Sequence, residues 1–466
     1  MSQLKSEYTE GFFSIPSHGF LPIHEPLDKL PARYSGIQSI IDNMPVKKHD
    51  DSDGYLSIPG GIVEPVTVLE DYYELVKVEE DVFIIAALYR ALTFIASAFL
   101  LEKAHHEKGI EEKYGQARQF LPKNVSKSLV EVANKLGVYP FLDYHYAYSL
   151  GNYNKIDKDG SFAYNNLKMA CAFSGKSDES GFIMLHVDIV SHSPQLLRSI
   201  WDFNKEANLN SLKLTYDSML KINDRRKVMW EASNWRNYND FRVFIMGIKG
   251  NSEIFGDGVV YEDCFDNTPQ QYRGQSGSQD DIIPTMDIFT GVYKYYPDNV
   301  LTRYLIDMRS YRPAPVREFF NDLQICNYNI ESFACIGLEG LIYLLAIVNE
   351  IYLFRNGHWM FVQKYILSTT RYPVATGGTP ITSWLPNQIE AVLNYKVDII
   401  QRIDTDYPNC NDSMYTKLKE EIASQFLVLR NQQMELEKKD YNPEVVHSFN
   451  TSVEYGNDTA RCPFKH

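Results

Sequence analysis

The stretch VFIIAALYRALTFIASAFLL, residues 82–101, decides the fold class: it is 20 residues long and carries one formal charge, Arg90. Such a run is typical of a membrane-spanning helix, but also of a helix buried on most sides in a protein core. VEED precedes the run, EKAHHEKGIEEK follows it, and no second uncharged span of that length occurs. Acidic residues before a helix and lysines after it complement the dipole of a soluble helix. We therefore predict a buried core helix surrounded by other helices, and no membrane span.

Composition and charge limit the class of function. The chain has 466 residues, of which 44% are hydrophobic and 23% charged, so it has enough apolar residues for a large core. A net charge of −14 disfavours the basic surface that binds nucleic acid or anionic membranes. The six cysteines form no C-x-x-C pair, and the N-terminus lacks a signal-peptide pattern. We expect a cytoplasmic protein with no nucleic-acid or membrane partner and no evident obligate protein partner.

The pattern along the chain predicts an all-α protein of two domains. Residues 1–65 are rich in Pro, Gly, Ser and Asp, which is typical of an irregular arm wrapping a helical body. We predict a smaller, mainly helical N-terminal domain over residues 1–138 and a large helical domain over residues 139–466. Short strands are expected near 167–173 and 259–261. Helical periodicity predicts helices at 69–78, 82–108, 126–136, 195–207, 210–235, 287–295, 315–322, 337–367, 386–405 and 413–437.

His358 is the first candidate metal ligand. It lies in LAIVNEIYLFRNGHWMFVQKYI, residues 345–366, and shares one helical face with Phe354, Arg355 and Val362. One imidazole in an apolar stripe is what the proximal side of a haem requires, and Arg355 could reach a haem propionate. A hydrogen-bonded core histidine is the commoner explanation of this local pattern, so both interpretations stay open here.

A second candidate metal site is formed by His186, Asp188 and His192, in GFIMLHVDIVSH, residues 181–192. Two histidines and one carboxylate are the ligand set of non-haem iron oxygenases. On a strand His186 and Asp188 would share a face, whereas on a helix His186 and His192 point about 120° apart. The spacing therefore supports this site only weakly, and a pocket or core histidine is the favoured interpretation of His186.

Five blocks in fixed order carry a family resemblance. They are FRVFIMGIKGNSEIFGDGVVYE (241–262), RGQSGSQDDIIPTMD (273–287), YLIDMRSYRPAPVREF (304–319), RNGHWMFVQKYIL (355–367) and ATGGT (375–379). With these blocks the sequence resembles the indoleamine 2,3-dioxygenase family of haem enzymes. The resemblance is clear over residues 142–385, weaker in the N-terminal helices, and absent from the N-terminal arm and the C-terminal tail.

The resemblance implies a two-domain helical protein with one haem b between the domains. His358 matches the proximal ligand of the haem iron. Arg355 and Asp287 match positions near the propionates or behind the proximal face, where charge and hydrogen bonds hold the cofactor.

The resemblance also assigns substrate-binding residues on the distal side. Arg242 matches the arginine that binds the substrate carboxylate, a task that suits a planar guanidinium. The other matches are aromatic residues lining the indole pocket, backbone near the haem edge and the substrate ammonium, and a loop residue over the amino-acid head group. They are, in that order, Tyr238 and Phe182, then Ser276 and Gly277, then Thr379.

Two positions depart from the family pattern. Asn237 precedes Tyr238 where several members have two consecutive aromatic residues, so the pocket is expected to be more polar or to hold the substrate more loosely. His186 replaces a serine found in many relatives and is similar to the distal histidine of the related tryptophan 2,3-dioxygenases. We expect His186 to act in catalysis by accepting a hydrogen bond from the indole N–H, and not as an obligatory base.

The expected reaction is cleavage of the C2–C3 bond of the indole of L-tryptophan by O₂, giving N-formyl-L-kynurenine. It is the first step of the kynurenine pathway toward NAD. Two alternatives stay open: a non-catalytic haem-binding sensor with the same fold, and a non-haem iron enzyme that uses His186, Asp188 and His192.

Overall fold

The computed structural model describes residues 3–107, 114–367, 376 and 381–437. Helices account for 63% of the structure and strands for 5%, which confirms the all-α prediction. The α-helices are α1 (Ser35–Asn43), α2 (Val63–Thr67), α3 (Tyr73–Lys77), α4 (Val82–His106), α5 (Lys123–Leu136), α6 (Ser177–Val190), α7 (Ser193–Lys205), α8 (Leu209–Lys227), α9 (Met229–Ala232), α10 (Asn239–Arg242), α11 (Ser252–Phe255), α12 (Ile282–Thr290), α13 (Val300–Asp307), α14 (Ala314–Ile325), α15 (Ile330–Ala334), α16 (Leu338–Val362), α17 (Ile381–Asp406) and α18 (Ser413–Glu437).

The strands form three small sheets. They are β1 (Tyr8–Thr9), β2 (Ser14–Ile15), β3 (Phe120–Leu121), β4 (Tyr153–Lys155), β5 (Leu167–Met169), β6 (Val259–Tyr261) and β7 (Pro269–Gln270). β1 pairs with β2 and β4 with β5, both antiparallel, while β6 lies between the parallel β3 and the antiparallel β7. The predicted strand at 259–261 is confirmed, and the one predicted at 167–173 ends at Met169.

Helix α4 is the buried core helix that the sequence predicts. The Asp81 side chain caps it by accepting hydrogen bonds from the backbone N–H groups of Phe83 and Ile84. By length and composition α4 could cross a membrane, but 94% of its most apolar window is buried inside the protein. Its central Arg90 donates to the backbone carbonyls of Gly151 and Leu27. The charge is thus satisfied inside the core, as a buried guanidinium requires.

The N-terminal arm packs against helices α7 and α14. Tyr8 donates its hydroxyl hydrogen to Asp322 on α14, with an O–O distance of 2.8 Å. The indole nitrogen of Trp201 on α7 donates to the carbonyl of Lys5 at 2.8 Å. The arm is mostly irregular, as predicted, although it contains α1. One buried cluster includes residues from Tyr8 to Leu429. The domain boundary at residues 138/139 stays a prediction.

Several helix predictions are corrected by the structure. The helix predicted at 287–295 is α12, which begins at Ile282 and ends before Gly291, whose φ of 87° terminates it. The helix predicted at 210–235 breaks after α8, and α1, α6 and α13 were missed. The predicted start of α18 at Ser413 is confirmed, its described part extends to Glu437, and the 82–108 helix ends at His106.

Helix α16 positions the candidate site. It packs against α8, α12, α17 and α18 and continues into one π-helical turn, Gln363–Leu367. Its residues are apolar on nearly every side, because neighbouring helices cover most of its surface. A group on α16 is therefore held rigidly from several directions.

Candidate active site

Two neighbouring cavities meet at His358. One has a volume of about 180 Å³ and lies between α12, α13 and α16. The other has a volume of about 130 Å³ and lies between α6, the end of α8 and α16. We call them the α12 cavity and the α6 cavity. The residues that line both are Gly277, Ser278, Asp280, Phe354 and His358.

The imidazole of His358 is neutral and has no hydrogen-bond partner among the described residues. Burial, and to a smaller extent His186, lowers the pKa of His358 to about 4, so the ring is unprotonated at neutral pH. In the part of the chain that the structure describes, neither ring nitrogen makes a hydrogen bond. A core histidine would be hydrogen-bonded, so the alternative left open by the sequence does not fit. An unprotonated imidazole facing a cavity is suited to metal ligation.

Arg355 and Asp287 form a buried ion pair on the wall of the α12 cavity. One guanidinium nitrogen of Arg355 contacts Asp287 Oδ2 at 2.5 Å and the hydroxyl of Tyr296 at 2.6 Å. Burial raises the pKa of Asp287, while Arg355 opposes that shift. Among the described residues, Arg355 Nε and Asp287 Oδ1 stay without a partner although both are buried. Arg309 also lines this cavity, which therefore offers donors and positive charge to an anionic ligand group.

The loop between the two cavities is fixed from behind by a buried charge network. Asp281 Oδ2 contacts Nε2 of His145 at 2.7 Å, and Asp281 Oδ1 accepts from Nε of Arg312 at 2.7 Å. Arg312 also donates to the carbonyls of Ser278 and Asp280, at 3.1 and 3.0 Å. We call His145, Asp281 and Arg312 the loop anchor. Because all three side chains are buried, the loop backbone has little freedom.

Ser276 and Gly277 lie on the cavity side of this loop. The Ser276 side chain accepts a hydrogen bond from the Ser278 N–H at 3.3 Å, and Gln279 accepts from the Ser276 N–H at 3.1 Å. A Cβ placed on Gly277 would lie 3.7 Å from Cε1 of His358. The structure therefore brings the loop backbone and the candidate ligand together, as the sequence predicts.

Aromatic rings line the α6 cavity. The Phe182 ring centroid is 5.1 Å from that of Tyr238 and 5.5 Å from that of His186. Tyr238 also meets Tyr365 edge-on at 5.7 Å. A Cβ on Gly181 would lie 1.8 Å from the carbonyl oxygen of Ala232, so the glycine lets α6 approach α9 closely. The predicted grouping of Phe182, Tyr238 and His186 is present in the structure.

His186 is a pocket residue and not part of a non-haem iron site. Burial lowers the pKa of His186 to about 4, and its Nδ1 lies 3.4 Å from the hydroxyl of Tyr144. On α6, Asp188 points about 160° away from His186. Asp188 is bound instead by Arg225, at 2.8 and 2.6 Å from its two carboxylate oxygens. The hypothesis of a non-haem iron site with Asp188 as a ligand is therefore wrong.

Of the predicted substrate residues that the structure describes, Arg242 lines neither cavity. Arg242 is fully buried, and one of its terminal nitrogens donates to the hydroxyl of Tyr114 at 3.2 Å. Thr379 lies outside the described residues. Thr376, three residues earlier, does line the α6 cavity, and its hydroxyl donates to the Gln275 carbonyl at 2.9 Å. The roles of Arg242 and Thr379 stay predictions.

The sequence matches one model of a known protein family over most of its length. The model described as Indoleamine 2,3-dioxygenase matches residues 10–380, which is more than half of the chain. The chain belongs to the indoleamine 2,3-dioxygenase family. Members of this family are dioxygenases and depend on haem.

Individual members of the family are distant relatives of this chain. Indoleamine 2,3-dioxygenase 1 of Rattus norvegicus is 24% identical over 217 residues, 44% of this chain and 52% of the rat protein. Indoleamine 2,3-dioxygenase of Saccharomyces cerevisiae is 27% identical over 390 residues, 76% of this chain and 78% of the yeast protein. A 6-hydroxytryptophan 2,3-dioxygenase of Fusarium equiseti is 23% identical over 318 residues, 65% of this chain and 70% of that protein. The matched region thus spans about half of the rat protein.

Sequence reasoning missed several residues of the site in this family member. Arg226 and Tyr144 line the α6 cavity, Arg309 lines the α12 cavity, and Asp280 lines both. Burial raises the pKa of Asp280 to about 6. Asp280 and Arg309 lie in two of the blocks that carry the family resemblance, 273–287 and 304–319, whereas Tyr144 and Arg226 lie outside the five blocks. Arg226 stands in the ordinary polar run DRRK at the end of α8, which carries no signal of a pocket.

Proposed function

We propose that the protein is a haem-dependent dioxygenase that cleaves the indole C2–C3 bond of L-tryptophan with O₂. Both oxygen atoms enter the product, N-formyl-L-kynurenine, so no external reductant is consumed per turnover. The observation that carries this proposal is the neutral, unpartnered imidazole of His358 beside an aromatic cavity. The family and the tryptophan-related names of its members support the same reaction class.

The residues around His358 fit a haem. His358 would bind the haem iron, because its ring is unprotonated and faces the cavities. Arg355 and Arg309 would hold propionates, since both present positive charge at the α12 cavity. When bound, the haem supplies the iron that activates O₂.

The protein's own residues would bind and orient the substrate. The rings of Phe182 and Tyr238 would hold the indole and exclude water from it. The neutral imidazole of His186 would accept a hydrogen bond from the indole N–H. We propose that Arg242 and Thr379 hold the amino-acid head group, and that the anchored backbone at Ser276 and Gly277 limits its position.

A spectrum and one assay test the proposed function. The purified, reduced protein should show an intense Soret band and convert L-tryptophan to a product with formylkynurenine absorbance. A Soret band without turnover of L-tryptophan or 6-hydroxytryptophan would favour the sensor alternative. Turnover of 6-hydroxytryptophan but not of L-tryptophan would change the proposed substrate and leave the proposed reaction class unchanged. Absence of haem binding would overturn the proposal.

Replacing His186 with serine tests its positioning role. We expect the variant to retain measurable L-tryptophan turnover, with kcat/KM lowered about 2- to 13-fold by loss of one hydrogen bond of about 0.5–1.5 kcal/mol. The matched substrate is 1-methyl-L-tryptophan, which has no indole N–H to donate. With it, the kcat/KM values of variant and parent should differ less. Complete loss of turnover with both substrates, at full haem loading, would mean that His186 is an obligatory base.

A further inference from the structure

The guanidinium of Arg226, at the end of α8, faces the α6 cavity, and no described residue is a partner of its terminal nitrogens. Arg226 is only 9% exposed, and it lines this cavity. Its Nε donates to Oδ1 of Asn223 at 3.1 Å. Within the described residues, neither terminal nitrogen makes a hydrogen bond or an ion pair. A buried guanidinium normally has such partners, because its desolvation is costly.

The neighbouring residues hold the guanidinium close to His358. A Cβ on Gly357 would lie 1.7 Å from Nη1 of Arg226, so the guanidinium rests directly on the backbone of α16. The ring centroids of Phe354 and Phe361 each lie 5.8 Å from the guanidinium carbon. Gly357 precedes His358, so the cation stands beside the candidate iron ligand.

Three nearby arginines each have a carboxylate partner, unlike Arg226. Arg355 pairs with Asp287, Arg312 with Asp281, and Arg225 with Asp188.

The charge of Arg226 remains uncompensated by a direct contact. Burial lowers the pKa of Arg226 to about 10, and Glu350 opposes that shift from a distance. The carboxylate of Glu350 accepts instead from the Asn223 side chain at 2.8 Å. The side chain therefore stays charged at neutral pH and would gain from an anion placed in the cavity.

We propose that Arg226 is a carboxylate-binding residue of the α6 cavity. Its two free terminal nitrogens match the two oxygens of a carboxylate, and the flanking rings suit a planar group. The proposal rests on the proposed function for its ligands, of which two carry a carboxylate: the haem, through a propionate, and the amino-acid substrate.

The test compares Arg226→Gln with Lys227→Gln in the full chain. Lys227 is the matched control because it is the next residue of α8, carries the same charge and is exposed. Haem and haem dimethyl ester are titrated into haem-free protein and followed by the Soret band. L-tryptophan and tryptamine, which lacks the carboxylate, are titrated by calorimetry. Arg226→Lys should restore part of any loss.

Each source of the carboxylate predicts its own pattern. If a propionate binds, Arg226→Gln weakens haem binding about 10- to 150-fold and leaves the ester unaffected. If Arg226 binds the substrate carboxylate, Arg226→Gln weakens the binding of L-tryptophan by a similar factor and leaves the binding of tryptamine unchanged. Binding like the parent for all four ligands, or an equal loss for each acid and its neutral analogue, would overturn the proposal. A parent protein without a Soret band would instead contradict the proposed function. The calorimetric titrations of L-tryptophan and tryptamine would then still test the role of Arg226.

Thermal unfolding tests the proposal even if Arg226→Gln binds none of the four ligands. Because an unpaired buried charge opposes folding, Arg226→Met should raise the thermal unfolding midpoint of the haem-free protein, whereas Lys227→Met should leave it unchanged. A lowered midpoint for Arg226→Met would mean that Arg226 has a structural role, and would overturn the proposal.

Discussion

Replacing His358 with alanine is expected to abolish stable haem binding. The imidazole is the group that faces both cavities in an unprotonated, unpartnered state. Loss of an outer partner of a metal ligand typically lowers affinity about 10- to 100-fold, so loss of the ligand itself should exceed about 100-fold. The measurement is a Soret titration of the haem-free variant beside the parent protein.

His186 is a second histidine that can bind iron when His358 is absent, so the experiment needs a double variant. Its neutral imidazole lines the α6 cavity together with His358, so it could ligate iron from the other side in the variant. The double variant His358→Ala with His186→Ser removes that route. Added imidazole should restore a Soret band in His358→Ala, because it fits the space of the deleted ring. Full haem occupancy in the double variant, with a ferrous histidine spectrum, would show that another residue is the ligand.

The sequence predicted the helices that have a clear apolar period and distinct ends. Helix α18 begins at Ser413 as predicted, and α4 has an acidic cap before its apolar run. Helix α6 was missed because GFIMLHVDIV is apolar without a helical period and contains β-branched residues, so a strand fits it equally well. The helix is decided by tertiary packing, where Gly181 meets the backbone of Ala232.

The site was predictable where one local motif carries it. The block around His358 and Arg355 is continuous, so both residues could be found without a structure. Arg226 lies 132 positions before His358 in the chain. Its proposed role can be inferred only from the folded structure, where no described residue pairs with its terminal nitrogens. The loop anchor is similar, because His145 and Asp281 are 136 positions apart. Spacing along a sequence does not predict such contacts.

The loop anchor gives the largest expected effect on stability. Replacing Asp281 with alanine leaves Arg312 buried at 1% exposure without its carboxylate and removes the acceptor that faces His145. Breaking a buried ion pair from one side costs about 3–5 kcal/mol. A domain is stable by only about 5–15 kcal/mol, so we expect a large fall in the free energy of unfolding, measured with urea. The yield of folded protein should fall with it.

The matched control is Asp240→Ala, which breaks an ion pair with Lys176 that is also 2.7 Å long but is exposed. That change should cost about 0–1 kcal/mol, because solvent screens the pair. Asp281→Asn should lie between the two, since its amide oxygen can still accept from Arg312. If Asp281→Ala lowered the unfolding free energy no more than Asp240→Ala does, the anchor would not stabilise the loop. The loop would then have to be held by its own backbone contacts, and the cavity at His358 would not depend on charge buried behind it.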